Sequence, residues 1–315
     1  MPRPTRLRST KIPSNQSPKS CILRPRFYSK APLATGHELS VLITGGSRGI
    51  GLAIAKQFAQ HPNVHTSIVG RDESTLRSAT QSIADSSKTA ENPNNQPKNV
   101  QHSYIVGDVT SREFWESLSR RDFSRATISE SSSSATASGW DVVVNAAGVS
   151  KTGVFARQTA HAIEHVFQTN LMGTTWACRY MIPAMLKRAR SLRVSIDSGN
   201  HPGMCIVNVS SLLGLKGGTG SAAYAASKAG VLGLTRALAA EYGPLGLRIN
   251  ALVPGYVETA MTDAMDPKAR DLALQSIPLK RFGTVDEIAS AAVFLATNRY
   301  ANNCVLNLDG GLSAT

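Results

Sequence analysis

The sequence has few cysteines and no long apolar run, and its first 29 residues hold neither aspartate nor glutamate. Each shortage narrows what the chain can be. The four cysteines, Cys21, Cys178, Cys205 and Cys304, lie far apart, form no CxxC pair and join no His/Cys grouping with metal-ligand spacing. That pattern argues against zinc and suits a reducing compartment. A stretch of about 18 apolar residues, the minimum for a transmembrane helix, does not occur, so no membrane span is expected.

The acid-free opening carries Arg3, Arg6, Arg8, Lys11, Lys19, Arg24 and Arg26. These seven cations account for seven of the formal charge of +13, leaving +6 on the remainder. An Arg-rich, Ser-containing, acid-free N-terminus is the composition of an organellar transit peptide. Arg26-Phe27-Tyr28-Ser29 resembles a mitochondrial processing site with cleavage after Tyr28. Residues 1–37 therefore read as a targeting extension with its linker, and the expected location is the mitochondrial matrix. The competing reading, a basic tail on nucleic acid, lacks aromatic interleaving and any recognition fold, and no nucleic-acid partner is expected.

Residues 38–315 read as one domain of ordinary size for a nucleotide-binding α/β fold. Apolar strand-like runs alternate with helical patterns: His65 to Val69, then Glu73 to Asp85; His102 to Val106, then Arg112 to Asp122; Asp141 to Val144, then a long helix from Gln158 to about Arg188. Such alternation predicts an α/β, Rossmann-like doubly wound parallel sheet. Polar stretches at 86–100, 124–139 (serine-rich) and 189–203 each fall between a helix and the next strand and read as surface loop insertions.

After the apolar run Val41-Leu42-Ile43 comes Thr44-Gly45-Gly46-Ser47-Arg48-Gly49-Ile50-Gly51, then a helical pattern. Glycines at 45, 49 and 51 allow a sharp turn and close approach to a pyrophosphate, which the free N–H groups of a new helix attract. The spacing differs from G-x-G-x-x-G, and the loop alone is a weak signal. Tyr224 and Lys228 share one helix face at i,i+4 spacing, a rise of about 6 Å, so a lysine ammonium can approach the phenol or a ligand beside it. Ser211 stands thirteen residues before Tyr224, just past the β-like run Cys205 to Val209, where a parallel strand delivers it to the carboxyl edge of the sheet.

With Asn145-Ala146-Ala147-Gly148 after one strand, Asn170 in Thr169-Asn170-Leu171, and Pro254-Gly255 after another, the chain resembles the short-chain dehydrogenase/reductase family from about Glu38 to Gly311. The resemblance implies an oxidoreductase with Asn170, Ser211, Tyr224 and Lys228 as its catalytic tetrad. Tyr224 would exchange the proton, Ser211 would bond the same oxygen, and Lys228 would bind the nicotinamide ribose and lower the phenol's ordinary pKa of ~10. Ser210 is a rival for Ser211; family spacing to the tyrosine favours Ser211.

The implied cofactor site comprises Gly45, Gly46, Ser47, Arg48, Gly49, Ile50 and Gly51, with Asp108 and Val109 against the adenine. Asn145 to Gly148 stand beside it, Pro254 and Gly255 line the nicotinamide, Val257 meets the carboxamide, and Thr259 a phosphate. At the end of the second strand, Gly70 stands where NAD-preferring relatives carry an acid, and Arg71 follows, so NADPH is expected. Asp72 remains the alternative carboxylate.

The stretch from Pro254 to Gly283 resembles the 3-oxoacyl-[acyl-carrier-protein] reductase branch. That implies an acyl carrier protein as partner, a homotetramer, and a carrier-docking surface near Lys187, Arg188, Arg190 and Arg193. A reductase of free carbonyls, sugars, quinones or steroids is the alternative within enzymes. A noncatalytic NADPH sensor or partner subunit is the alternative outside them.

Overall fold

The computed structural model describes residues 38–88, 102–120, 139–199 and 201–314, all within one compact unit, Pro32–Thr315. The expected targeting extension and its cleavage site, and most of the 86–100 and 124–139 stretches, lie outside the described residues.

The first half builds β1 (Leu39–Thr44), α1 (Gly49–Ala59), β2 (Val64–Gly70), α2 (Glu73–Lys88), β3 (Ser103–Val106), α3 (Arg112–Arg120) and β4 (Val142–Asn145). Next come α4 (Ala160–Phe167), a π turn over Gln168–Met172, α5 (Gly173–Ser191), α6 (Arg193–Asp197), β5 (Met204–Val209) and α7 (Leu213–Lys216). The chain finishes with α8 (Ala222–Tyr242), β6 (Leu247–Pro254), α9 (Ala260–Asp263), α10 (Pro267–Ser276), α11 (Val285–Thr297) and β7 (Val305–Leu308). All seven strands are parallel, in the order β3-β2-β1-β4-β5-β6-β7. The single doubly wound α/β domain expected from the alternation is the fold observed.

The near-continuous apolar strands β1, β4, β5 and β6 are buried along their whole length, because helices cover both faces of the sheet. Side chains alternate between those faces. On one face, Val41 and Ile43 pack with Ile54 and Phe58 of α1 and Ile288 and Leu295 of α11. On the other, Leu42 and Val143 pack with Trp115 of α3 and Met181 and Met185 of α5. Strand order reverses between β1 and β4, and the crevice at their carboxyl ends is where such sheets bind ligands.

One expectation is refined and one corrected. The long helical stretch from Gln158 to Arg188 is present as a continuous run, α4 through α5, with a π turn within it. The 189–203 stretch is not a surface loop throughout: α5 continues to Ser191, α6 follows, and His201 and Gly203 are buried. Leu192 and Ile196 pack on the core, and one anchor is Asp141, a fully buried carboxylate just before β4 that requires donors. Arg188 donates to both of its oxygens at 2.6 and 2.9 Å, Ser40 N–H donates at 2.8 Å, and His201 Nε2 lies 3.4 Å away. Burial pushes Asp141 up, but the bonds from His201 and Arg188 outweigh it and hold the carboxyl below its ordinary value. Polar composition concealed this anchor, since the partner acid lies some fifty residues upstream in sequence.

Candidate active site

β1 ends where the glycine loop turns, and three contacts explain why bulkier residues do not serve there. A Cβ on Gly51 would lie 2.3 Å from the carbonyl oxygen of Gly45, and one on Gly45 would lie 2.8 Å from Cα of Ala147. Gly45 and Gly49 also hold φ of +66° and +55°, the left-handed region that favours glycine. The loop is tied to the end of β4 by Thr44 Oγ1, which accepts from the N–H groups of Ala146 and Ala147 at 3.1 and 3.2 Å. Gly46, against Ile68 of β2, completes the seat.

The turn leaves the start of α1 open. Arg48, the residue before the helix, supplies no side-chain cap, and the first turn has no acid, so no side chain of the loop neutralises the positive end of the helix dipole at Gly49 and Ile50. Around Gly49, the one close neighbour is Thr259, its Cγ2 3.8 Å from where a Cβ would stand. Ser47 and the exposed Arg48 border the same space. An open helix start of this kind suits a pyrophosphate, and Thr259 approaches it from the segment after β6.

The remaining expected cofactor residues also gather at the carboxyl ends of the strands. Arg71 is exposed after β2. Its neighbour Asp72 is occupied: Oδ1 accepts from Ser74 Oγ and Thr75 N–H, both at 2.8 Å, capping α2. The Thr75 backbone bond is the main cause of its lowered pKa. Asp108, after β3, binds Thr110 through Oδ1, and Val109 receives the indole N–H of Trp115 on its carbonyl at 2.9 Å. Pro254 ends β6, Gly255 packs against Asp309, and Val257 is buried with its carbonyl accepting from Thr262 Oγ1 at 2.6 Å.

The tetrad assembles beside this seat. Asn170 lies within the π turn, a one-residue widening of the helix that is frequent at functional sites. It is fully buried, with Oδ1 accepting from Val149 N–H at 2.8 Å and Nδ2 donating to Val149 O at 2.9 Å and Ser227 Oγ at 3.0 Å. Gly148 bridges it to the lysine: a Cβ there would stand 3.4 Å from both Asn170 Oδ1 and Lys228 Nζ. Ser211 follows β5, its Oγ accepting from Leu213 N–H at 3.2 Å, and its hydroxyl acts on the Tyr224 phenol. Ser210 is buried, and its Oγ donates to Lys228 O at 2.8 Å, so it fastens α8 to β5 and leaves Ser211 as the serine in the site.

Electrostatics differ from expectation in one respect. Burial pushes the Tyr224 phenol up, the Ser211 hydrogen bond pulls the other way, and Lys228 does not offset the burial. The reason is positional: Lys228 Nζ donates to Val209 O at 2.8 Å and lies 5.9 Å from the centre of the tyrosine ring. Burial lowers the lysine itself to about 8. In the free chain, then, Tyr224 holds its proton at neutral pH and is armed as an acid.

The profile of the short chain dehydrogenase family matches residues 40–270. The chain belongs to that family. Within the family, a 3-oxoacyl-[acyl-carrier-protein] reductase of Chlamydia muridarum is 34% identical over 277 residues, 87% of this chain and 97% of that protein. A 3-oxoacyl-[acyl-carrier-protein] reductase of Bos taurus is 32% identical over 273 residues, again 87% and 97%. Among solved structures, a candidate NAD(P)-dependent gluconate 5-dehydrogenase from Beutenbergia cavernae, with NADP bound at low occupancy, superposes with a TM-score of 0.72 at 30% identity. That likeness covers 90% of this chain and all of the other.

This short chain dehydrogenase is thus an oxidoreductase of the CH–OH/C=O couple, with a seat for a nicotinamide dinucleotide. When bound, the dinucleotide supplies or accepts hydride. The chain's own groups are placed for the rest: Ser211 would orient the carbonyl oxygen, Tyr224 would deliver a proton to it, and Lys228 with Asn170 would hold the polar floor beneath.

Sequence reading missed three supports of the site. One is the chain from Asn145 Nδ2 to Asn208 Oδ1 (2.8 Å) and from Asn208 Nδ2 to Thr235 Oγ1 (2.9 Å), which locks β4, β5 and α8. Another is Ser227, which holds Asn170; the third is the seating of Lys228 on Val209 O. Asparagines inside apolar strands were the one available signal for the first.

Proposed function

We propose that the protein reduces a 3-oxoacyl thioester carried on acyl carrier protein to the 3-hydroxyacyl form, with NADPH as reductant, in mitochondrial type II fatty acid synthesis. The observation that carries this reading is the assembled tetrad in a chain that aligns almost end to end with 3-oxoacyl-[acyl-carrier-protein] reductases. Exposed apolar side chains at Met261 and Leu272, between Thr259 and Ile277, offer surface for an acyl chain. The purified protein is expected to turn over acetoacetyl groups on acyl carrier protein more efficiently than free ketones. Preference for a free sugar-acid carbonyl would favour the second reading, to which the likeness to the gluconate dehydrogenase structure points.

NADPH is favoured over NADH because the carboxylate that would serve a ribose hydroxyl, Asp72, is committed to capping α2, while Arg71 is exposed for a 2′-phosphate. Arg71→Gln is expected to raise the Michaelis constant for NADPH about 10-fold or more and to change that for NADH little, since a charge-assisted contact to phosphate is lost only with the former. Equal effects on both cofactors would make Arg71 structural.

The matrix location rests on the acid-free N-terminus. Protein recovered from mitochondria is expected to begin near Ser29, and N-terminal sequencing that finds residue 1 intact would overturn the processing site. A homotetramer is the expected assembly, which light scattering reads directly. Of the cations near the end of α5, Arg188 pairs with Asp141, which leaves Lys187, Arg190 and Arg193 as the candidate carrier-docking charges.

A further inference from the structure

A cavity of about 350 Å³ opens between the end of β4 and the start of α4, lined by Lys151, Thr152, Gly153, Val154, Arg157, Gln158, Thr159 and Ala162. Short chain connections tie it to the tetrad at two points, and Val149, two residues before Lys151, exchanges both backbone groups with the Asn170 amide. Gly148, in contact range of Lys228 Nζ and Asn170 Oδ1, is three residues before Lys151, a span of at most about 11 Å. Gly153 N–H donates to Gly220 O at 2.9 Å, four residues before Tyr224.

The chemistry of the lining is specific. Lys151 and Arg157 are exposed, no acid lines the cavity, and neither cation makes an ion pair among the described residues. Thr159 Oγ1 already accepts from Ala162 N–H, so the positive character comes from the two side chains and not from an uncapped helix. Gln158 anchors through Nε2 to Gly153 O at 2.8 Å, while its Oε1 is buried with no partner, an acceptor awaiting an N–H or O–H. Val154, 60% exposed, and Ala162 supply an apolar wall. A ligand that satisfies all three features carries a phosphate at one end, amide N–H groups along its length and a branched aliphatic part between them.

We infer that this cavity is the seat of the substrate's phosphopantetheine arm, with Lys151 and Arg157 on its phosphate and Gln158 Oε1 accepting an amide N–H. The assignment rests on the 3-oxoacyl thioester reading above, and it makes Lys151 and Arg157 determinants of substrate affinity, remote from the proton chemistry. The arm reaches the enzyme either on a carrier protein, where its 4′-phosphate is a phosphodiester, or as part of coenzyme A, where it belongs to a diphosphate, and both present an anionic 4′-phosphoryl group.

The test compares the full chain with Lys151→Ala/Arg157→Ala, using 4′-phosphopantetheine and pantetheine as calorimetric probes and their acetoacetyl thioesters as substrates. Phosphopantetheine is expected to bind the parent protein at least about 10-fold more tightly than pantetheine, on the scale of charge-assisted contacts. The double variant should lose that difference. Its Michaelis constant for the phosphorylated thioester should rise by the same factor, with kcat and the unphosphorylated substrate unaffected. Gln158→Leu should weaken both probes alike. Equal binding of the two probes to the parent, or an unchanged preference in the variant, overturns the inference. Phosphate-dependent binding without turnover of either thioester would leave the cavity's assignment standing and sink the reductase reading. Comparing carrier-bound with coenzyme A thioesters then separates the two sources of the arm.

Discussion

Tyr224→Phe is expected to lower turnover by at least about 10²-fold, the usual scale for losing a general acid, with NADPH affinity nearly unchanged. The phenol is the one proton-bearing side chain of the tetrad whose oxygen meets Ser211, and burial keeps it protonated at neutral pH. Phenylalanine keeps the ring, so the packing of α8 survives and the loss falls on kcat. A variant that retains full turnover would rule out Tyr224 as the donor.

Lys228→Ala is expected to be as damaging to turnover and to weaken the cofactor as well, together about 10²- to 10³-fold in kcat/KM, the scale of removing a preorganised electrostatic partner. Lys228 is only 4% exposed and sits between Asn170 and the strand end, so its removal empties the polar floor of the site. A pH profile adds a second readout. Burial places the free-enzyme lysine near a pKa of about 8. Below that pH the ammonium is present; as pH rises through it the charge is lost, so kcat/KM for reduction should fall above about 8. The alanine variant should lack that inflection. A parent profile flat across that range would mean that the charge on Lys228 is not what the reaction uses.

How far the sequence revealed the fold follows from which signals were local. Strands such as Val142–Asn145 and helices such as Ala222–Tyr242 carry their own apolar runs, and the glycine loop announces a turn by composition, so these elements and the tetrad were legible. The π turn was not, because one extra residue in a helical turn changes no hydrophobic period that a reader can detect. Residues 189–203 were misjudged for a different reason: they are held by partners distant in sequence, His201 by Asp141, Ile196 O by Arg299 and Pro202 O by Arg248, and composition says nothing of such pairings. The lysine's expected effect on the phenol, which the resemblance and the i,i+4 spacing both suggested, is not seen in the free chain. Spacing puts both groups on one face, but the carbonyl of Val209 decides where the ammonium points.

The measurement that bears most directly on the account is NADPH consumption by the purified chain with acetoacetyl-acyl carrier protein, run beside Tyr224→Phe. The account predicts one NADPH oxidised for each 3-hydroxyacyl product formed, with the rate falling at least about 10²-fold in the variant. No consumption by the parent protein, or equal rates in the two proteins, would contradict it.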